Sequence, residues 1–286
     1  MVNVISNAPA DAGKIVETLI AHPAVRRINF TGSTRVGRIV AETAARHLKP
    51  VLLELGGKAP LLVLDDADLD EAVNAAAFGA FMFQGQICMS TERVVVDRIV
   101  ADDFVARLGR KAELLPAGNP RNGNVVLGPL ISTEAAQKVD ALVKEAVARG
   151  AKLVAGGKVD GPIMSATVLD HVTRDMRIYH EESFGPVAPV IRVGSIQEAI
   201  TVANDTEYGL SAAVFGRDVN RALAVARQIE SSICHVNGPT VQDEAQIPFG
   251  GMKASGYGRF GGRAAINEFT ALRWITIETE RHRYPF

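Results

Sequence analysis

Short runs of β-branched and apolar residues alternate with longer stretches of helical period along most of this chain. That alternation restricts it to an α/β fold with a largely parallel sheet. Residues 26–31 read as a strand, 34–47 as a helix and 51–55 as the next strand, which makes one βαβ unit. A helix over 69–83 follows, with Asp65, Asp66 and Asp68 near its positive end, where carboxylates are favoured. The pattern predicts further strands at 93–97, 152–155, 187–193, 212–215 and 233–237, and helices at 103–114, 133–149, 196–204 and 220–229. Between Pro248 and Gly262 six glycines in fifteen residues imply an irregular loop whose backbone approaches something closely. The tail over 271–279 returns to strand-like alternation, and a lone terminal strand needs a partner sheet, such as one in another subunit.

A chain of 286 residues that is 47% hydrophobic can bury the core of one large domain or of two ordinary ones. Its 31 basic and 32 acidic residues leave a net charge of −1 without long runs of either sign. Nucleic acid and anionic membranes are therefore excluded as main partners, and a small-molecule substrate is expected. Two cysteines, Cys88 and Cys234, form neither a disulfide framework nor a Cys-x-x-Cys pair, which fits a reducing compartment. The opening stretch from Met1 to Pro9 lacks the basic and apolar regions of a secretory signal, and the apolar run over 75–83 falls far short of a membrane span of ~20 residues. The expectation is a cytoplasmic protein.

Phe81-Met-Phe-Gln-Gly-Gln-Ile-Cys88 sets a cysteine behind a Gly-Gln turn at an apolar helix end. The turn favours exposure of the sulfur to a cleft, although inert packing is the ordinary fate of a lone cysteine. Cys234, inside the apolar stretch Ser232-Ile-Cys-His-Val236, reads as core. Upstream, Leu53-Glu-Leu-Gly-Gly-Lys58 places a carboxylate between leucines. Burial would raise the pKa of Glu54 and suit it to act as a base near neutral pH; the alternative is a carboxylate tied to the N–H groups of the Gly56-Gly57 turn. Phe30-Thr-Gly-Ser-Thr-Arg-Val-Gly37 joins a strand to a helix N-terminus, where Gly32 and Ser33 leave room for a phosphate or simply form a turn and a cap. In Glu181-Glu-Ser-Phe-Gly-Pro186 a carboxylate before a Gly-Pro turn either meets a ribose diol or faces solvent. Six histidines show no metal-ligand spacing and no motif of a cysteine hydrolase, so no metal is expected. His180, before the Glu-Glu pair, alone stays open.

Taken together, these motifs resemble the NAD(P)-dependent aldehyde dehydrogenase superfamily over nearly the whole chain. Phe30-Thr-Gly-Ser33 with Gly37 is similar to its phosphate-binding turn, Leu53-Glu-Leu-Gly-Gly-Lys58 to its glutamate motif, and Gly85-Gln-Ile-Cys88 to its cysteine motif. Glu182-Ser-Phe-Gly-Pro186 is similar to its ribose motif, and Pro248-Phe-Gly-Gly-Met-Lys-Ala-Ser-Gly-Tyr-Gly-Arg259 to its C-terminal glycine-rich signature. The resemblance implies Cys88 as nucleophile and Glu54 as general base, with Gly32, Ser33, Gly37, Leu55, Glu182 and Phe184 at the cofactor, NAD or NADP. It implies thiohemiacetal and thioester intermediates and a carboxylic acid product. The expected fold is an incomplete Rossmann-type cofactor domain (1–56), an α/β catalytic domain (57–269) and a C-terminal oligomerisation strand (270–286) in a homodimer or homotetramer.

The subgroup most similar in look is that of the bacterial vanillin and salicylaldehyde dehydrogenases, which oxidise aromatic aldehydes. Family members are longer, and their N-terminal part carries the opening βαβ units and an oxyanion-binding asparagine, so the chain reads as a C-terminal fragment or truncated product. An oxyanion hole reduced to the Cys88 N–H would lack a donor worth ~3 kcal/mol in comparable sites. Impaired activity is the expectation, and a non-catalytic folding or oligomerisation module the alternative. Residual ester or thioester hydrolysis, needing Cys88 and Glu54 but no cofactor, is a further reading. Phe83 stands where the family often has asparagine.

Overall fold

The computed structural model describes residues 2–286. Its centre is a seven-stranded sheet in the order Ile233–Val236, Ser211–Phe215, Ala59–Val63, Thr91–Asp97, Val187–Val193, Thr167–Asp170 and Lys152–Ala155. All neighbours run parallel except the last pair. Parallel strands need both faces covered, and the residues alternate accordingly. Leu61, Val63, Val94, Val96, Ala213 and Phe215 pack under the helices Leu69–Phe81 and Ala101–Glu113, while Leu62, Val95, Ala212 and Val214 pack on the other face with Ile200 and Val225. A third apolar cluster joins the helix Thr133–Ala148 to the sheet margin through Val139, Leu142 and Ile191.

A second, smaller sheet holds Ile28–Thr31 parallel to Val51–Glu54, with Gly256–Tyr257 antiparallel on the far side. The helices Ala12–Ala21 and Thr34–Arg46 contribute Ile20, Val40 and Ala44 to its core. The α/β class and the parallel sheet are as the sequence predicts, and most predicted elements lie within a few residues of their places. Two strands of the large sheet, Ala59–Val63 and Thr167–Asp170, were hidden. Pro60 argues against a central strand, yet it sits where the pairing with the neighbouring strand slips, so its missing N–H disrupts no regular ladder.

The tail is the segment expected to pair with a sheet outside its own chain. Residues 271–279 form no strand, and Leu272, Trp274 and Ile277 are exposed. Alternation favours a strand only where an edge offers N–H and C=O partners, and within one chain this segment meets none. Among the described residues no helix is long and apolar enough to cross a membrane.

Candidate active site

The helix Leu69–Phe81 begins with Asp68 accepting from the N–H groups of Asp70 and Glu71, and it ends two residues short of the predicted limit. Beyond it Phe83, Gln84 and Gly85 all adopt left-handed backbone angles, with φ of 50°, 57° and 69°. Three such residues in succession reverse the chain and swing Cys88 back towards the sheet. Only glycine fits the third position, because a Cβ there would lie 2.2 Å from the carbonyl oxygen of Gly185. The cysteine loop and the loop of Glu182 and Phe184 are thus in backbone contact. Gln86 secures the turn from outside by accepting from the Ile131 N–H at 2.9 Å. Cys88 is half-buried, and burial together with the nearby charge of Glu54 pushes its thiol up to about 11, against the opposing pull of the Cys88 and Met89 N–H groups.

Glu54 ends the strand Val51–Glu54. Only 3% of it is exposed, and neither carboxylate oxygen has a hydrogen-bond partner. The alternative expected from sequence, a carboxylate tied to the Gly56-Gly57 turn, is therefore not what forms. Desolvation pushes Glu54 up to about 7, partly offset by Arg259. The glycine-rich segment builds this environment. Gly256 pairs with Glu54 across the sheet at φ 114°, Ser255 accepts the Leu55 N–H through its backbone carbonyl, and a Cβ on Gly250 would come within 2.9 Å of Glu54 Oε1.

The carboxylate that does use the Gly56-Gly57 turn is Glu182, whose Oε1 accepts from the Gly57 N–H at 3.0 Å. Burial raises its pKa. Phe184, at φ 50°, leaves its ring 41% exposed beside it. Ser33 caps the helix Thr34–Arg46 through a 3.4 Å bond from the Val36 N–H, and it is exposed together with Gly32 at that helix's positive end. Gly37 and Leu55 lie deeper: a Cβ on Gly37 would strike the Leu55 side chain at 2.5 Å, so the pair sets how closely helix and strand pack.

Three buried residues escaped the sequence reading. Lys58 donates to Glu92 Oε2 at 2.7 Å with both side chains out of solvent, and Arg93, fully buried, donates to the carbonyls of Val202 and Ala203 at a helix C-terminus. The signal available was the cluster Thr91-Glu-Arg93 opening a β-branched strand, a charged pair where apolar residues are usual. His180 contacts the Arg174 carbonyl and the Tyr179 ring, and Cys234 lies on the edge strand of the sheet.

A half-buried thiol, an unpartnered carboxylate acting on it, and an exposed, serine-capped helix N-terminus define a thiol-bearing α/β protein. The sequence profile of the aldehyde dehydrogenase family matches residues 1–275. The chain is 63% identical over its whole length to a vanillin dehydrogenase of Pseudomonas fluorescens, of which it covers 59%. Among solved structures, the salicylaldehyde dehydrogenase of Pseudomonas putida G7 complexed with salicylaldehyde superposes with a TM-score of 0.95 at 56% identity, over 98% of this chain and 58% of that one. An NAD-dependent aldehyde dehydrogenase of Sinorhizobium meliloti matches with a TM-score of 0.90 at 36% identity, over 95% of this chain and 54% of that one. This chain belongs to the aldehyde dehydrogenase family, and it spans somewhat over half the length of these relatives.

Proposed function

We propose that this chain serves the oxidation of an aldehyde, in the first place an aromatic one such as vanillin or salicylaldehyde, to the carboxylic acid with NAD or NADP. The observation that carries the reading is Glu54, a carboxylate buried without a partner whose charge acts on the Cys88 thiol. A folded chain tolerates such a group only where something else gains from it, and a proton acceptor poised at about 7 is well matched to a reaction near neutral pH.

On this reading the Cys88 thiol gives up its proton to solvent as its sulfur attacks the aldehyde carbon, forming a tetrahedral thiohemiacetal whose oxyanion lies near the Cys88 N–H. The bound cofactor supplies the acceptor for the departing hydride. Cys88 is left as a thioester, and Glu54 takes a proton from the water that releases the acid and restores the thiol. The residues present fit the cofactor: Gly32 and Ser33 at the helix N-terminus suit a pyrophosphate, Glu182 keeps one oxygen free for a ribose hydroxyl, and the Phe184 ring offers a face to the nicotinamide. Gly37 and Leu55 act by packing. Residues 1–56 then belong to the cofactor-binding part and 57–269 to the thiol-bearing part.

Formation of NAD(P)H from vanillin or salicylaldehyde tests the proposal. Cys88→Ser should lower the rate roughly 10³-fold or more, as loss of a nucleophile does elsewhere. Turnover that survives this change would refute the role of Cys88. A second reading, an assembly module, rests on exposed Leu272, Trp274 and Ile277 in the tail. Removing residues 270–286 should then convert an oligomer to a monomer in size-exclusion chromatography.

A further inference from the structure

The pairing between the strands Ala59–Val63 and Thr91–Asp97 slips by one residue: Ala59 faces Thr91, Pro60 faces Arg93, and Glu92 faces nothing. Such a bulge re-aims the side chain it carries, and bulges gather beside active sites. Glu92 is aimed at the backbone of the neighbouring loop. Its Oε1 accepts from the Phe184 N–H at 2.9 Å, and its two oxygens accept from the Ser183 N–H at 3.1 and 3.0 Å. Lys58 neutralises it at 2.7 Å and donates to Ser183 Oγ at 3.3 Å, sealed from solvent.

Position makes this cluster more than core filling. Lys58 follows the Gly57 whose N–H holds Glu182, and Glu92 is the second residue of the strand into which the Cys88 loop runs. The loop between Glu182 and Phe184 is therefore gripped at successive residues, by Gly57 at Glu182 and by Glu92 at Ser183 and Phe184. The grip also accounts for Phe184, which holds a left-handed φ of 50° with its own N–H bound to a carboxylate.

We propose that Glu92, its charge paired with Lys58, is a positioning residue that fixes the loop bearing Glu182 and Phe184 at a set distance from Cys88. The inference rests on the proposed cofactor role of that loop. Glu92 touches neither the thiol nor, on this reading, the cofactor; it acts through the two amides it holds.

The test compares the unaltered chain with Glu92→Ala, Ser183→Ala and the double substitution Lys58→Met with Glu92→Gln. The double substitution removes both charges and serves if the alanine variant fails to fold. Amide hydrogen exchange is measured across residues 181–186, together with NADH and NADPH affinity by fluorescence and the rate of Cys88 alkylation by iodoacetamide. Glu92→Ala should speed exchange at Ser183 and Phe184 and weaken cofactor binding about tenfold each, the scale of losing hydrogen bonds to a charged acceptor. Cys88 alkylation should stay within about twofold, because its own turn is intact. In the double substitution the glutamine oxygen restores part of the amide protection. Unchanged exchange over 181–186 overturns the proposal, as does faster exchange with no change in affinity when the unaltered chain binds cofactor. If the unaltered chain binds neither NADH nor NADPH, the cofactor reading of the loop fails, while exchange still decides whether Glu92 holds it.

Discussion

Glu54 and Glu92 are two carboxylates buried to nearly the same degree and treated in opposite ways. Glu92 has an ammonium and two backbone N–H groups; Glu54 has no hydrogen-bond partner at all. Each sits four residues from another motif residue, Lys58 after Glu54 and Glu92 after Cys88, so the same short segments carry one group of each kind. The difference separates two uses of burial. A carboxylate with every partner supplied fixes geometry, because moving it would strand charges in a dry interior. A carboxylate without partners fixes nothing and is left with a raised proton affinity, which is what a base near neutral pH requires.

The largest effect that would break this contrast comes from removing one partner of the satisfied carboxylate. Lys58→Met leaves Glu92 charged and uncompensated, and the expected cost is about 3–5 kcal/mol in denaturant unfolding. The double change with Glu92→Gln should recover most of it. If Lys58→Met costs under about 1 kcal/mol, Glu92 is not held as an ion and the two carboxylates are alike.

Glu54 should respond in the opposite sense and with pH. Its folded pKa of about 7 lies above the ordinary 4.5, so the folded chain binds this proton more tightly than the unfolded one. Its contribution to stability is full below about pH 4.5 and is lost as pH rises towards 7. Above that the ionised group costs roughly 3–4 kcal/mol, taking the shift at 1.36 kcal/mol per unit. Glu54→Gln should therefore stabilise the chain at pH 8 by about that amount, with little change at pH 4, while, if the proposed function holds, aldehyde oxidation falls. A mutant no more stable at pH 8 than the parent would mean that Glu54 is already satisfied in solution.

The contrast also marks what the sequence makes legible. Cys88, Glu54 and Glu182 stand in glycine-flanked motifs, because the backbone around them turns sharply and packs closely, and glycines write that need into the sequence. The helices and outer strands carry their period openly. Glu92 and Arg93 have no such mark, and Lys58, though it follows the Gly56-Gly57 pair, is paired by Glu92 from a different strand. Their meaning depends on a pairing slip between strands distant in sequence, at Pro60, which also disguises the strand. The tail follows a related rule: alternation records a capacity to pair, and pairing depends on an edge this chain alone does not offer.

The same opposition recurs in the backbone, at the two phenylalanines flanking the contact between Gly85 and Gly185. Phe83 and Phe184 both hold φ of 50°, a conformation that costs an L-residue with a bulky side chain roughly 1–2 kcal/mol. At Phe184 the N–H is bound by Glu92, so the surroundings dictate the angle. At Phe83 the turn is closed only through its carbonyl, which accepts from the Gln86 N–H at 3.1 Å, and the ring is 64% exposed and contributes little burial in return. Asparagine tolerates the left-handed region because its short polar side chain bonds locally. Phe83→Asn should accordingly stabilise the chain by about 0.5–1 kcal/mol, a rise in Tm of roughly 1–4 °C for a domain of this size. Phe184→Asn, at an angle already imposed by Glu92 and with more ring surface to lose, should gain less than Phe83→Asn. Equal gains at both positions would show that Glu92 does not determine the angle at Phe184, and the distinction between held and unheld groups would then stop at the side chains.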